Sequence, residues 1–319
     1  MSTLDFLAVL VAGAIGLCAP IIVAGLGEIF LERTGGFNVG IEGIMLMGAV
    51  GGVLGSHVAG VWFGVLLGIL IGAVFGLLLG VATAVGHADV IIVGIAIGLI
   101  GTGLSIFLYQ ALNPAGSTNA RVETQPALHL PLIDQVPVIG PGLADAGIFF
   151  YLSLALVVLS WWVLRGTRFG LRLRVVGDDE QVAMTRGIAV RRYRIVAAVI
   201  AGAFAGLGGA FVPLSSIGTF SPGITGGSGF IALAVVIIAR RTPFGLLAGA
   251  VLFSFFNSLA LLGQTQNLGL PVELLQALPY IVTLVVLCVV SRHLWARARR
   301  GHTHPRAPAT GTTEIEGSL

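Results

Sequence analysis

Two glycine-rich interruptions carry most of the polar chemistry of an otherwise apolar chain: "GEIFLERTGGFNVGIEG" (27–43) and "SSIGTFSPGITGGSG" (215–229). Asn38 and Glu42 offer an amide and a carboxylate in the first, and Thr225 and Ser228 offer hydroxyls in the second. Such groups suit hydrogen bonds to sugar hydroxyls or base edges, and Phe37 and Phe230 bring faces on which a base can stack. The same carboxylate and amide serve to cap backbone groups that a broken helix frees inside a bilayer, so both roles stay open. Glu28, Glu32 and Arg33 lie close enough to form a local charge-pairing cluster, as intramembrane ions generally do. No residue spacing points to a metal site or to a catalytic group, so an enzyme is not expected. His302 and His304 read as solvated, and Cys18 and Cys288 as small hydrophobes inside apolar runs.

The other polar region is "GLRLRVVGDDEQVAMTRGIAVRRYR" (170–194), with six arginines and three acids. Asp178 is placed to cap a helix, with Gln181 three residues on as in a capping box. Asp179 and Glu180 then fall in the first turn, where the helix dipole favours acids. Gly187 supplies the stop and Ile188 follows it, so a helix is expected over 179–186 with Val182, Ala183 and Met184 as its apolar bulk. A helix of two turns is marginal alone, which implies something for it to dock against.

The elements that must position these groups follow from composition. Charged residues make up 10% of the 319 residues and mean hydropathy is +1.01, against about 25% charged residues in a soluble domain. The fold class is therefore all-α, a polytopic membrane protein. Apolar runs at 6–26, 61–84, 91–111, 148–164, 195–217, 244–262 and 278–291 approach the roughly 20 residues that cross a bilayer. The shorter runs 44–56 and 228–239 follow the two interruptions and read, together with them, as broken crossings or re-entrant elements. About eight to ten transmembrane or broken helices are expected, in one membrane domain over 1–300. Within it, Gly64, Gly68, Gly72, Gly76 and Gly80 recur every fourth residue and make a surface on which backbones pack closely.

Arginine placement sets the orientation. Clusters at 165–194, at Arg240 and Arg241, and from Arg292 onward should all face the cytoplasm. The loop 112–147 then lies outside, the 165–194 loop and the C-terminus inside, and the polar tail 301–319 is expected to be disordered in the cytoplasm. The N-terminus is expected on the cytoplasmic side. The arginines read as flanks of spans, so no nucleic-acid partner is expected. The chain holds no lysine at all, so it cannot build the Gly-Lys-Ser/Thr turn of a P-loop. If ATP drives it, another chain binds and hydrolyses the nucleotide, and no cofactor is expected here.

"GLRLRVVGDDEQVAMTRGIAVRRYR" followed by "IVAAVIAGAFAGLGGAF" resembles the cytoplasmic coupling segment and next span of ABC-importer permeases of the ribose, branched-chain amino acid and nucleoside superfamily. "GEIFLERTGGFNVGIEGIMLMGA" is similar to a signature of the nucleoside branch, and "GFIALAVVIIARRTPFG" and "PYIVTLVVL" extend the likeness over about residues 10–290. The resemblance implies a permease subunit in the cell membrane that forms a path for nucleosides or purine-like compounds. It also implies a cytoplasmic ATPase docked on Asp178, Asp179, Glu180, Val182, Ala183, Gly187 and Ile188, a second permease subunit, related or identical, and an extracytoplasmic substrate-binding protein. Simple sugars or branched-chain amino acids remain alternative cargoes. An ion-coupled secondary transporter, with Glu42 or Asp89 carrying a proton, is the alternative of another class.

Overall fold

The computed structural model describes residues 3–112, 121–125, 142–143, 146–265, 277 and 281. Its helices are α1 (Thr3–Glu32), α2 (Ile41–Ala59), α3 (Val61–Ala84), α4 (Val90–Leu112), α5 (Ile148–Gly166), α6 (Arg168–Asp178), α7 (Glu180–Thr185), α8 (Val190–Val212), α9 (Ser228–Ile238) and α10 (Pro243–Thr265). A π-helical turn, Pro213–Ile217, extends α8. Among the described residues, seven helices are long and apolar enough to cross a membrane, and α9 is a shorter apolar helix. The span expected at 278–291 and the tail 301–319 lie outside the described residues, apart from residue 281.

Two expectations need correction. The first interruption is narrower than 27–43, because "GEIFLE" continues α1 to Glu32. Only residues 33–40 leave the helix, and α2 then runs for 19 residues, a full crossing rather than a short piece. Helix α2 is the most enclosed of the spans, since α3, α4 and α8 all pack on it.

Glycine makes this enclosure possible. A Cβ on Gly72 would strike the Gly202 carbonyl, and one on Gly202 would strike the Gly72 carbonyl. Gly68 and Gly206 form a like pair, Gly76 lies against Ala198, Gly80 against Ile195, and Gly64 against the Gly52 carbonyl of α2. All five glycines of the α3 row thus touch neighbouring helices, and α3 with α8 forms the broadest helix pair. In lipid, where apolar surface gains nothing by leaving one oily phase for another, such backbone contact is what holds helices together.

The pairings also order the helices by direction. Gly177 at the end of α6 sits on the Arg33 carbonyl, and Arg241 pairs with Glu32, so the end of α1 lies among the arginines. Ser258 of α10 donates to the Leu10 carbonyl while Leu246 lies against Gly25, so α10 runs antiparallel to α1. Helix α1 therefore begins at the end opposite the arginines. An N-terminus on the same side as the arginine clusters is thus overturned, because α1 crosses once, unbroken, before the first interruption.

Candidate functional site

The 165–194 loop is two helices rather than one. Thr167 opens α6 by accepting from the Gly170 N–H at 3.2 Å. Helix α6 consumes Asp178 as its last residue, so the N-cap of α7 is Asp179 and not Asp178. Its Oδ1 accepts from the N–H groups of Gln181 (2.9 Å) and Val182 (3.0 Å). The helix is six residues long, shorter than the 179–186 expected. It ends as a Schellman motif: Ile188 N–H donates to Ala183 O and Gly187 N–H to Met184 O, both at 3.0 Å. Gly187 has φ +70°, a conformation glycine adopts without strain.

Ala183 is fully buried and packs with Val176 of α6 and Val190 of α8. It anchors α7 rather than presenting itself, which corrects its expected place on a docking face. The outward face carries Val182 and Met184, 46% and 55% exposed, together with Gln181 and Thr185. Glu180 reaches Arg194 at 2.9 Å across the loop, an exposed pair worth under about 1 kcal/mol.

The interruptions meet each other. Glu42, in the first turn of α2, accepts from the hydroxyl of Thr225 and from the N–H groups of Gly227 (3.0 Å) and Gly229 (2.7 Å). Its carboxylate thus caps the N-terminus of α9, where unpaired donors and the helix dipole favour an anion. A Cβ on Gly229 would come within 2.8 Å of the Glu42 backbone, so only glycine allows this approach. Asn38 is fully buried; its N–H donates to Glu28 Oε1 at 2.9 Å and its Oδ1 accepts from Gly40 N–H at 3.0 Å. That bond sets residue 38 beside residue 28, so the 33–40 segment turns back along α1 before α2 starts. Asn38 Nδ2, Glu28 Oε2 and Ser228 Oγ are buried without a hydrogen-bond partner among the described residues. Phe37 is half-buried and Phe230 is 53% exposed, with no ring contact between them among the described residues.

Glu28, Glu32 and Arg33 lie near enough for their charges to act on one another, but among the described residues they make no direct ion pair with each other. Glu32 binds Arg241 Nε at 3.0 Å, and Arg33 donates to the Arg241 carbonyl at 2.9 Å. Burial first, then the nearby Arg174 and Arg241 charges, hold the Arg33 guanidinium below its ordinary pKa, with Asp178 opposing them. Sequence reading treated Arg241 only as a marker of orientation; its partner lies 209 residues away. It also missed Gln125. The Gln125 N–H donates to Leu214 O (2.8 Å), its amide donates to Ser215 O (3.2 Å), and its Oε1 accepts from Phe149 N–H at the start of α5 (3.0 Å). Val122 N–H adds a bond to Gly218 O. A π-turn and an uncapped helix start leave such groups bare, and residues 122–125 cover both.

The model of the family described as "Branched-chain amino acid transport system / permease component" matches residues 10–287. The chain is 37% identical over 307 residues to a nucleoside ABC transporter permease protein of Lactococcus lactis subsp. cremoris, covering 91% of this chain and 94% of the relative. It is 32% identical to a guanosine ABC transporter permease protein of Bacillus subtilis (90% and 93% covered). It is 30% identical to a putative glucose ABC transporter permease protein of Haloferax volcanii (89% and 92%). No solved structure matches the chain.

Proposed function

The chain belongs to the family of branched-chain amino acid transport system permease components, and on that premise we propose that it is the membrane subunit of an ATP-driven importer of nucleosides. The observation that carries the cargo is the extent of likeness to relatives named for nucleosides and guanosine, at 37% and 32% identity over about nine-tenths of the chain. A separate cytoplasmic ATPase docks on the outward face of α7, and the arginine-rich end faces the cytoplasm. A second permease subunit and an extracytoplasmic binding protein complete the machine.

The geometry supports a mechanical route. Helix α7 is clamped at both ends, by Asp179 and by the Gly187 turn, and bolted to α6 and α8 through Ala183. Movement imposed on it enters α8, a rod of 23 residues and roughly 35 Å. Helix α8 slides or tilts against α2 and α3 along glycine contacts, which present few interlocked side chains. Helix α2 holds the start of α9 through Glu42, so both interruptions move together. Opening and closing at that junction, between Glu42, Thr225 and Ser228 with Phe37, Asn38 and Phe230 nearby in sequence, would admit cargo alternately from each side.

The test is uptake of labelled guanosine by vesicles holding this chain, its partner permease, the ATPase and the binding protein. Uptake that needs ATP, and that excess unlabelled nucleoside but not glucose suppresses, is the expected result. Suppression by glucose alone moves the cargo to sugars, and uptake by the chain without an ATPase overturns the proposal.

A further inference from the structure

We propose that the groove between α6 and α8 binds one anionic phospholipid of the surrounding leaflet. The groove is open on one side and has a volume of about 1000 Å³. Each wall is a helical stripe at i, i+1 and i+4: Leu171, Arg172 and Val175 on α6, and Arg192, Tyr193 and Val196 on α8. Arg186 closes it from the turn after α7, with Val182, Gly187 and Ile188 beside it, so its rim adjoins the face given to the ATPase. Among the described residues, three guanidinium groups thus line it and no carboxylate does.

The acids of the loop are engaged elsewhere. Asp179 caps α7, Glu180 pairs with Arg194, and Asp178 acts on Arg33. Arg172 donates to the Tyr193 hydroxyl at 2.9 Å, which spans the groove, while Arg186 and Arg192 have no partner among the described residues. Unpaired arginines above apolar walls fit a phosphate with a hydrocarbon tail. Val196 lies inside the crossing segment Val190–Ser215, and it and Leu171 are 37% and 55% exposed. The groove therefore opens toward the hydrocarbon edge, where an acyl chain enters sideways. The inference goes beyond the transport reading and does not need it.

The experiment is native mass spectrometry of the delipidated full-length chain, titrated with phosphatidylglycerol or phosphatidylcholine. One phosphatidylglycerol should be retained in preference to phosphatidylcholine. The double variant Arg186→Gln/Arg192→Gln should weaken that binding at least about tenfold, with phosphatidylcholine unchanged. Both side chains are exposed, and the single Arg186→Gln variant provides a milder second reading in the same direction. Arg121→Gln, at the opposite end, should bind like the parent chain. Equal retention of the two lipids, or full retention by the double variant, overturns the proposal. So does displacement by soluble glycerophosphate at the same affinity, which would make the site one for phosphate alone. Unchanged lipid binding with loss of the ATPase subunit from the purified complex would make the groove a protein-docking face and equally overturn it.

Discussion

The Glu42 carboxylate accepts the Gly229 N–H at 2.7 Å, joining the start of α2 to the start of α9 across 187 residues of sequence. With Thr225 and Gly227 on the same carboxylate, one side chain satisfies the donors that the second interruption frees. Glu42 is thus first a structural cap, and any contact with cargo is made by a group already fixed in place.

Replacing Glu42 by Gln keeps its shape but removes the charge and one acceptor, and should cost about 2–3 kcal/mol at this junction. ATP-driven uptake should fall at least about tenfold while the protein still inserts and purifies. Uptake within twofold of the parent would show that the cap does not matter to the cycle.

At the α7 helix, Asp179→Ala should remove about 1 kcal/mol of capping and lower uptake per ATP hydrolysed, whereas Asp178→Ala should have the smaller effect. Gly187→Ala forces a Cβ into a left-handed conformation, adding about 1 kcal/mol. Comparing hydrolysis with uptake in the reconstituted complex checks the order. A larger defect in the Asp178 variant would contradict the observed cap.

On the α3–α8 seam, Gly72→Ala and Gly202→Ala should each lower thermal stability by several degrees, because the methyl meets a carbonyl that cannot move without its helix. Gly103→Ala is the control: nothing lies within 4 Å of its Cβ position. Equal melting temperatures for all three variants would show that the seam is looser than these contacts.

Arg241→Met strands the Glu32 carboxylate, which is only 5% exposed, beside Arg33 alone. The expected cost is about 2 kcal/mol, less than for a fully buried pair because Arg241 is half exposed. Adding Glu32→Met should return most of that loss. A double variant no more stable than the single one would show that the two residues are not coupled.

At the end opposite the arginines, Gln125→Ala leaves Ser215 and the start of α5 without a partner. Two hydrogen bonds lost near the surface should cost about 1–3 kcal/mol, seen as faster amide exchange at Phe149 and around the π-turn. Unchanged protection at Phe149 would mean that water replaces the glutamine at no cost.

Amino-acid order alone made six of the seven described crossing helices, the glycine row of α3, the arginine-rich end and the Gly187 stop legible, because each depends on neighbours within a turn or two, whereas the full length of α2 was hidden behind its glycines. It misplaced the cap of α7 by one residue, since where α6 stops depends on its packing against α5, α8 and the end of α1. Which acid meets which donor was decided only by tertiary structure. Glu42 with Gly229, Glu32 with Arg241 and Glu28 with Asn38 form because, without water, a buried carboxylate must take whatever donor packing brings beside it. The starting end of α1 was decided the same way: once the chain stays helical through Glu28 and Glu32, one crossing carries it to the arginines, and its beginning must lie opposite.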